Sequence, residues 1–302
     1  MTADVLWGLL LSMRPKQWTK NALVFMALVF SVDLYWQPGD FSSAFSHIGR
    51  SALAFVIFCA ASGALYIVND VIDLEQDRRH PTKRSRPLAS GLVPISLGLG
   101  VACVALAAAV GASFALYWGF GLVLIGYVAL TLSYSLYLKH LLILDVFAVA
   151  AGFVLRAAAG AVVIDVPISP WLYICTALGA LFISIIKRRQ ELILLDEVAG
   201  QHRRTLEHYT PELLDQMAAV ITPSTIVAYG LYTFSAEHLP DNHAMMLTVP
   251  FVLYGLFRYL YLANTRNEGG SPEEVLLRDR PLLADIILWF LAVVVILYCF
   301  RD

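Results

Sequence analysis

Nine apolar runs, spaced along the whole chain, restrict what it can fold into. A helix needs about 20 mostly apolar residues to cross a bilayer core. Runs near 21–36, 50–69, 95–114, 118–138, 141–163, 170–187, 216–235, 244–263 and 282–300 approach or meet that length, with Asp33 and Trp36 shortening the first. A backbone in hydrocarbon must satisfy its own hydrogen bonds, so runs of this kind specify a helical bundle or nothing. The expected fold is therefore all-α: a polytopic membrane protein of nine transmembrane helices in a single domain over 1–302. Composition agrees, with 59% hydrophobic residues, 15% charged residues and a mean hydropathy of +0.70. A soluble domain carries about a quarter charged residues. A soluble enzyme is thereby excluded, and no nucleic-acid partner is expected.

Four cysteines (Cys59, Cys103, Cys175 and Cys299) lie singly in apolar runs and suggest neither a zinc site nor a disulfide framework. Near the N-terminus the positive charges follow the short apolar run, the wrong order for a cleaved signal peptide. Residues 3–13 are expected to form an interfacial helix anchored by Trp7, within an interfacial segment 1–20.

Lysine and arginine orient the spans. Segments 1–20, 70–94, 139–140, 187–215 and 264–281 fall on one side and carry nearly all the bases; the opposite side has Arg50 and Arg301. The positive-inside rule places the basic side in the cytoplasm. The segment SPEEVLLRDRP reads as a short helix near 271–280, with Ser271 as N-cap, Pro272 as its first residue and Glu274 closing a capping box.

The densest charge follows the second run: NDVIDLEQDRRHPTKRSRPLASG, residues 69–91. If the helix continues through residue 77, Asp70, Asp73 and Asp77 stack at i, i+3 and i+7 on one face. With Asn69 they form a hard-oxygen set suited to Mg²⁺, which commonly takes one or two carboxylates plus substrate phosphates. Lys83, Arg84 and Arg86 are candidates for phosphate oxygens; the other reading of these bases is a solvated loop obeying the positive-inside rule. Three regularly spaced aspartates at a span's end are costly unless they serve a function.

N-D-x-x-D-x-x-x-D followed by R-x-x-H-P-x-K-x-x-R-P resembles the first signature of the UbiA superfamily of membrane transferases. The resemblance implies nine helices, a polar cavity facing the cytoplasm, and Asn69, Asp70, Asp73 and Asp77 holding a Mg²⁺–diphosphate. Most members carry a second aspartate-rich motif after the sixth helix. This chain departs there, reading KRRQELILLDE, with Lys187, Arg188 and Arg189 where acids are expected and Glu191 the only acid before Asp196 and Glu197. The stretches MRPKQWTKN, YSLYLKHLLILDVFAVAAGFVLRAAAGA and KRRQEL look like the branch whose donor is phosphoribosyl pyrophosphate (PRPP) and whose acceptor is a polyprenyl phosphate, decaprenyl phosphate among them. That branch implies a bacterial inner-membrane enzyme that supplies a cell-envelope arabinose precursor. A cationic second cluster suits an additional phosphate rather than a second metal.

By the same resemblance Lys20 and Asn21 face the site, with lipid anchoring as the other reading. Tyr134 and Lys139 look like the family's Tyr/Lys motif, here one residue longer than its Y-x-x-x-K. Asp145 is a candidate for completing the metal site, orienting Lys139 or contacting ribose hydroxyls. Arg156, 11 residues further on and roughly 16 Å deeper at helical rise, needs an anionic partner or a polar cavity; it either joins a structural ion pair or lines a route used by the lipid phosphate. Glu191 either pairs with Arg188 or binds metal or ribose. Two rival functions remain: an aromatic prenyltransferase of the same fold, disfavoured by the missing second acidic motif, and a transporter or lipid carrier. The carrier is disfavoured because charge gathers at one membrane face and no matched pair of broken helices is evident. Membrane lipid is a certain partner on this reading, and a homo-oligomer is left open.

Overall fold

The computed structural model describes residues 2–32, 34–80, 82–167, 169–195, 208–236, 239–266 and 272–300. Asp33, Asp196, Glu197, Ser271 and Arg301, named above, lie outside the described residues. Twelve α-helices are described: α1 Ala3–Ser12, α2 Met26–Phe30, α3 Phe41–Ile72, α4 Leu74–Arg79, α5 Ile95–Leu116, α6 Trp118–Leu136, α7 Leu144–Val163, α8 Pro170–Leu195, α9 Pro211–Ser235, α10 Val249–Arg266, α11 Pro272–Arg278 and α12 Arg280–Cys299. Eight of them are long and apolar enough to cross a membrane, α10 together with the 3₁₀ turn Ala244–Thr248 before it.

The first expected span, near 21–36, is not one continuous helix. Residues 15–25 form a 3₁₀ run, followed by the five-residue α2 and a bridge between Val32 and Trp36. The cause is tertiary. The polar Asn21 lies within the segment and Gln17 and Lys20 just before it, and the segment packs against α3 and α7. Non-helical backbone is tolerated at membrane depth only where protein or a polar cavity covers it. Gly160 in α7 permits the contact: a Cβ there would meet the Val24 carbonyl oxygen at 2.0 Å.

Two spans are longer than their apolar cores. α3 starts at Phe41 because the Asp40 carboxylate accepts from Ser42 N (3.1 Å) and Ser43 N (3.3 Å), capping the first turn. α8 runs through KRRQEL to Leu195 because the polar side chains of that segment find partners inside the protein, described below. Thr210 and Asp279 cap α9 and α12 in the same way. α11 begins at Pro272, as expected, and α1 is present with Trp7 exposed.

Two apolar clusters form the walls. One joins α2, α3, α6 and α7 around Val24, Phe58, Leu65, Phe120 and Leu124. The other joins α8 to α12 around Ile185, Ile186, Leu214, Leu262 and Leu282. Between them lies a cavity of ≈ 1440 Å³ lined from both sides.

Replacing Gly160 by Ala is expected to destabilise the fold by about 1–3 kcal/mol through overpacking against Val24. Gly126→Ala, where a Cβ meets nothing within 4 Å, serves as the control. Thermal unfolding in detergent measures both, and equal midpoints would refute the close approach.

Candidate active site in the cavity between the two helix clusters

The acidic motif sits where α3 ends. Asp73 caps α3 in a non-helical conformation and α4 restarts at Leu74, so the continuous helix through residue 77 expected from sequence is interrupted. Backbone bonds still link Asp73 N to Asn69 O at 2.9 Å and Asp77 N to Asp73 O at 2.8 Å, keeping the acids on neighbouring turns. Each acid is turned onto a cation. Asp70 pairs with Arg14 and, at 3.1 Å, with Arg86; the same Arg86 reaches Asp77 at 2.6 Å. Asp73 takes Lys139 at 2.5 Å and the Asn69 amide at 3.1 Å. Asp70 and Asp77 are buried, so without these partners their charges would cost several kcal/mol each.

Among the described residues no three His, Cys, Asp or Glu side chains converge closely enough to hold a metal ion. The donor chemistry nonetheless fits one. Asn69, Asp70, Asp73 and Asp77 offer only hard oxygen atoms for this purpose, within nine residues, and Asn69 lines the cavity. Arg14, Arg86 and Lys139 now hold those oxygens.

The second charged cluster is built from α8. Arg188 is buried and donates from Nε to Asp145 at 2.8 Å, from Nη1 to Glu191, and from Nη2 to the Tyr134 hydroxyl at 3.2 Å. Asp145, at the start of α7 and fully buried, also accepts from the Tyr209 hydroxyl at 2.8 Å. Tyr209 in turn accepts from Ile143 N at 3.0 Å, bracing the left-handed residue (φ 68°) before α7. Burial first, then the Asp145 carboxylate, pushes the Tyr209 phenol up to about 12, so it stays a donor at neutral pH. Asp145 thus orients Arg188, one of the cationic residues in question.

Lys20, Asn69, Tyr134, Arg156, Lys187, Arg188 and Glu191 line the cavity, as do Arg14 and Gln17; Lys20 donates to Gln17. Burial first, then the Arg86 charge, holds the Lys83 ammonium below the usual lysine range, against the opposing charges of Glu191, Asp77 and Asp73. Arg84 is exposed with no ion-pair partner among the described residues. Arg189 is turned away: it pairs with Asp215 of α9 at 2.5 Å and does not line the cavity. Deeper, Asn21 and Arg156 meet at 2.8 Å.

Two participants were not singled out from sequence. Tyr209 lies near the charged stretch 187–208 with no signal to distinguish it from other tyrosines. Asp285 of α12 is buried and lines the cavity, its carboxylate accommodated by Gly255, where a Cβ would come within 3.1 Å of it. An aspartate inside an apolar run was the available signal.

Arg188→Ala is expected to destabilise the protein by about 3–5 kcal/mol, because it strands Asp145 as a buried charge. Arg189→Ala should cost less than about 1 kcal/mol, its partner being half exposed. Unfolding midpoints of the two variants check the difference, and equal losses would refute it.

Residues 22–277 match the UbiA prenyltransferase family. The chain is 35% identical over 297 residues to decaprenyl-phosphate phosphoribosyltransferase of Corynebacterium glutamicum, covering 96% of this chain and 87% of that protein. To the protein of that name from Mycolicibacterium smegmatis it is 33% identical over 293 residues, covering 93% and 90%. In fold it is similar to a UbiA homolog from Archaeoglobus fulgidus bound to GPP and Mg²⁺, with a TM-score of 0.72, 19% identity and coverage of 96% and 99% of the two chains.

Proposed function

Because this chain belongs to the UbiA prenyltransferase family, we propose that it is the membrane enzyme that transfers 5-phosphoribose from PRPP to decaprenyl phosphate and releases diphosphate. The observation that carries this reading is a single cavity lined both by Asn69 and Arg14, which bond the aspartates of the acid-rich cluster, and by Lys187 and Arg188 of the cationic one, in a chain a third identical along its length to phosphoribosyltransferases. PRPP carries phosphate at both ends, a diphosphate on the anomeric carbon and a monophosphate on the far carbon. An acidic motif able to take Mg²⁺ suits the first, and Lys187 with Arg188 suits the second.

An oxygen of the acceptor phosphate attacks the anomeric carbon, the bond from that carbon to the diphosphate breaks, and its electron pair leaves with the diphosphate. The acceptor is already an anion, so no general base is required. Catalysis rests on positioning and on charge stabilisation. Mg²⁺ held by Asn69, Asp70, Asp73 and Asp77 would neutralise the leaving diphosphate. Arg14, Arg86 and Lys139, released from those aspartates, would turn to phosphate oxygens, as would Lys83. Arg188 is kept in place for the terminal phosphate by Asp145 and Tyr209, and Glu191 and Tyr134 hold its other nitrogens. In this reading Arg189 and Arg84 bind nothing in the cavity. The site opens to the cytoplasm of a bacterial cell, consistent with the basic loops, and the product serves as a cell-envelope arabinose precursor.

Purified protein given ribose-labelled PRPP, decaprenyl phosphate and Mg²⁺ should move label into the lipid phase, and only with the metal. Asp73→Ala should lower that transfer by about 100-fold or more while the protein stays folded. Absence of label, with prenyl transfer from a prenyl diphosphate to an aromatic acid in a parallel assay, would replace this reading with the aromatic prenyltransferase.

A further inference from the structure

Arg156 is the cavity's anomaly. It lies in the middle of α7 and is buried, 6% exposed. The other buried arginine among the described residues, Arg188, has carboxylates of Asp145 and Glu191; Arg156 has none among the described residues. Its Nε donates to Asn21 Oδ1 at 2.8 Å, Nη1 to the Gly152 carbonyl at 2.8 Å and Nη2 to the Tyr127 hydroxyl at 2.7 Å. All three acceptors are neutral. They use three of the five N–H groups of a guanidinium and leave its charge uncompensated.

The group is also rigidly held. The guanidinium stands 4.7 Å over the Tyr127 ring and 5.5 Å from the Phe153 ring, and the Tyr127 ring packs on Phe58 at 5.2 Å. Asn21 is fixed by donating to Ser62 Oγ at 3.2 Å and Cys59 Sγ at 3.3 Å. Arg156, Tyr127 and Ser62 all line the cavity. A fixed, desolvated cation facing an open cavity inside a membrane span is arranged for an anion that arrives from outside the chain.

Its depth selects the anion. Ser62 and Asp70 are eight residues apart on α3, roughly 12 Å at helical rise. The Arg156 group therefore lies well inward of the acidic motif. When one oxygen displaces another at a carbon in line, the two lie on opposite sides of it. With diphosphate at the acidic motif and ribose inward of it, the attacking phosphate belongs on the membrane-interior side. A lipid phosphate, whose chain needs apolar walls, is suited to that side.

We propose that Arg156, held by Asn21 and Tyr127, is a separate deep oxyanion subsite for the monophosphate head of the polyprenyl acceptor. The proposal rests on the polyprenyl phosphate reading above and names the residues that distinguish the phosphate from the bare lipid. The donor's phosphates are bound by other groups.

The test is binding by the full chain in nanodiscs of neutral phosphatidylcholine, with labelled decaprenyl phosphate, decaprenol and, separately, PRPP with Mg²⁺. Wild type is expected to prefer decaprenyl phosphate over decaprenol by about 50-fold or more, and Arg156→Gln to reduce the preference to about fivefold or less. PRPP affinity should stay within about twofold in that variant. A preference that survives in folded Arg156→Gln overturns the proposal. So does a tenfold or larger loss of PRPP affinity with the lipid preference intact, which would assign the subsite to the donor's terminal phosphate. Should Arg156→Gln fail to fold, Tyr127→Phe keeps charge and ring and removes one fixing bond. It should weaken decaprenyl phosphate about three- to tenfold, and unchanged binding would count against the subsite. Wild type that shows the phosphate preference, loses it in Arg156→Gln and yet fails to transfer ribose supports the subsite and rejects the donor assignment.

Discussion

The Asp145–Arg188 ion pair is the contact on which the site's geometry depends. Both side chains are buried, and α7 and α8 meet around them. A carboxylate and a guanidinium taken out of water recover the desolvation cost only with good geometry and with their remaining donors and acceptors occupied. Here Tyr209 takes the second oxygen of Asp145, and Tyr134 and Glu191 take the other nitrogens of Arg188. One pair thereby ties together α6, α7, α8 and the segment leading into α9, and presents a cation to the cavity in a fixed orientation.

The acidic motif obeys the same constraint with a different outcome. Its aspartates are matched by Arg14, Arg86 and Lys139, which come from three separate segments outside α3 and are more exposed than Asp70 and Asp77. Longer, partly exposed side chains can change partners at small cost. The arrangement is neutral without substrate. In the proposed reaction a metal and phosphates arriving together would give acids and bases partners of opposite sign at once, so no charge would be stranded. A transferase with an anionic donor and an anionic acceptor needs this exchange, since its cavity holds cations in both states.

Much of the fold is legible in the chain because hydrophobic run length and hydrogen-bond satisfaction in a membrane are local properties. The apolar runs near 95–114, 118–138 and 282–300 became helices within a few residues of their expected ends. Where boundaries shifted, polar residues at or inside the helix were the reason: Asp40 caps α3 well before its apolar core, and KRRQEL extends α8 because Arg188 is satisfied internally and Gln190 Nε2 donates to the Ala263 carbonyl. In the site, the aspartates, Lys139 and Arg188 stood out by charge and spacing. Tyr209 and Asp285 did not, and Arg189 could not be told from Arg188, since one residue of helical rotation separates a buried cation from one facing Asp215.

By itself the sequence determined a helical membrane protein with its charge gathered at one face and an aspartate motif at the end of a span. Composition and periodicity are enough for that, because bilayer physics acts on each run separately. Tertiary structure alone decided that 15–30 is a broken segment packed on Gly160 rather than one continuous helix. It also decided that the aspartates of the motif rest on particular bases, and that Arg156 meets only neutral partners among the described residues. Those outcomes depend on side chains brought together from distant positions, such as Asn21 and Arg156, 135 residues apart, and on the low dielectric that makes each unmatched charge among them costly.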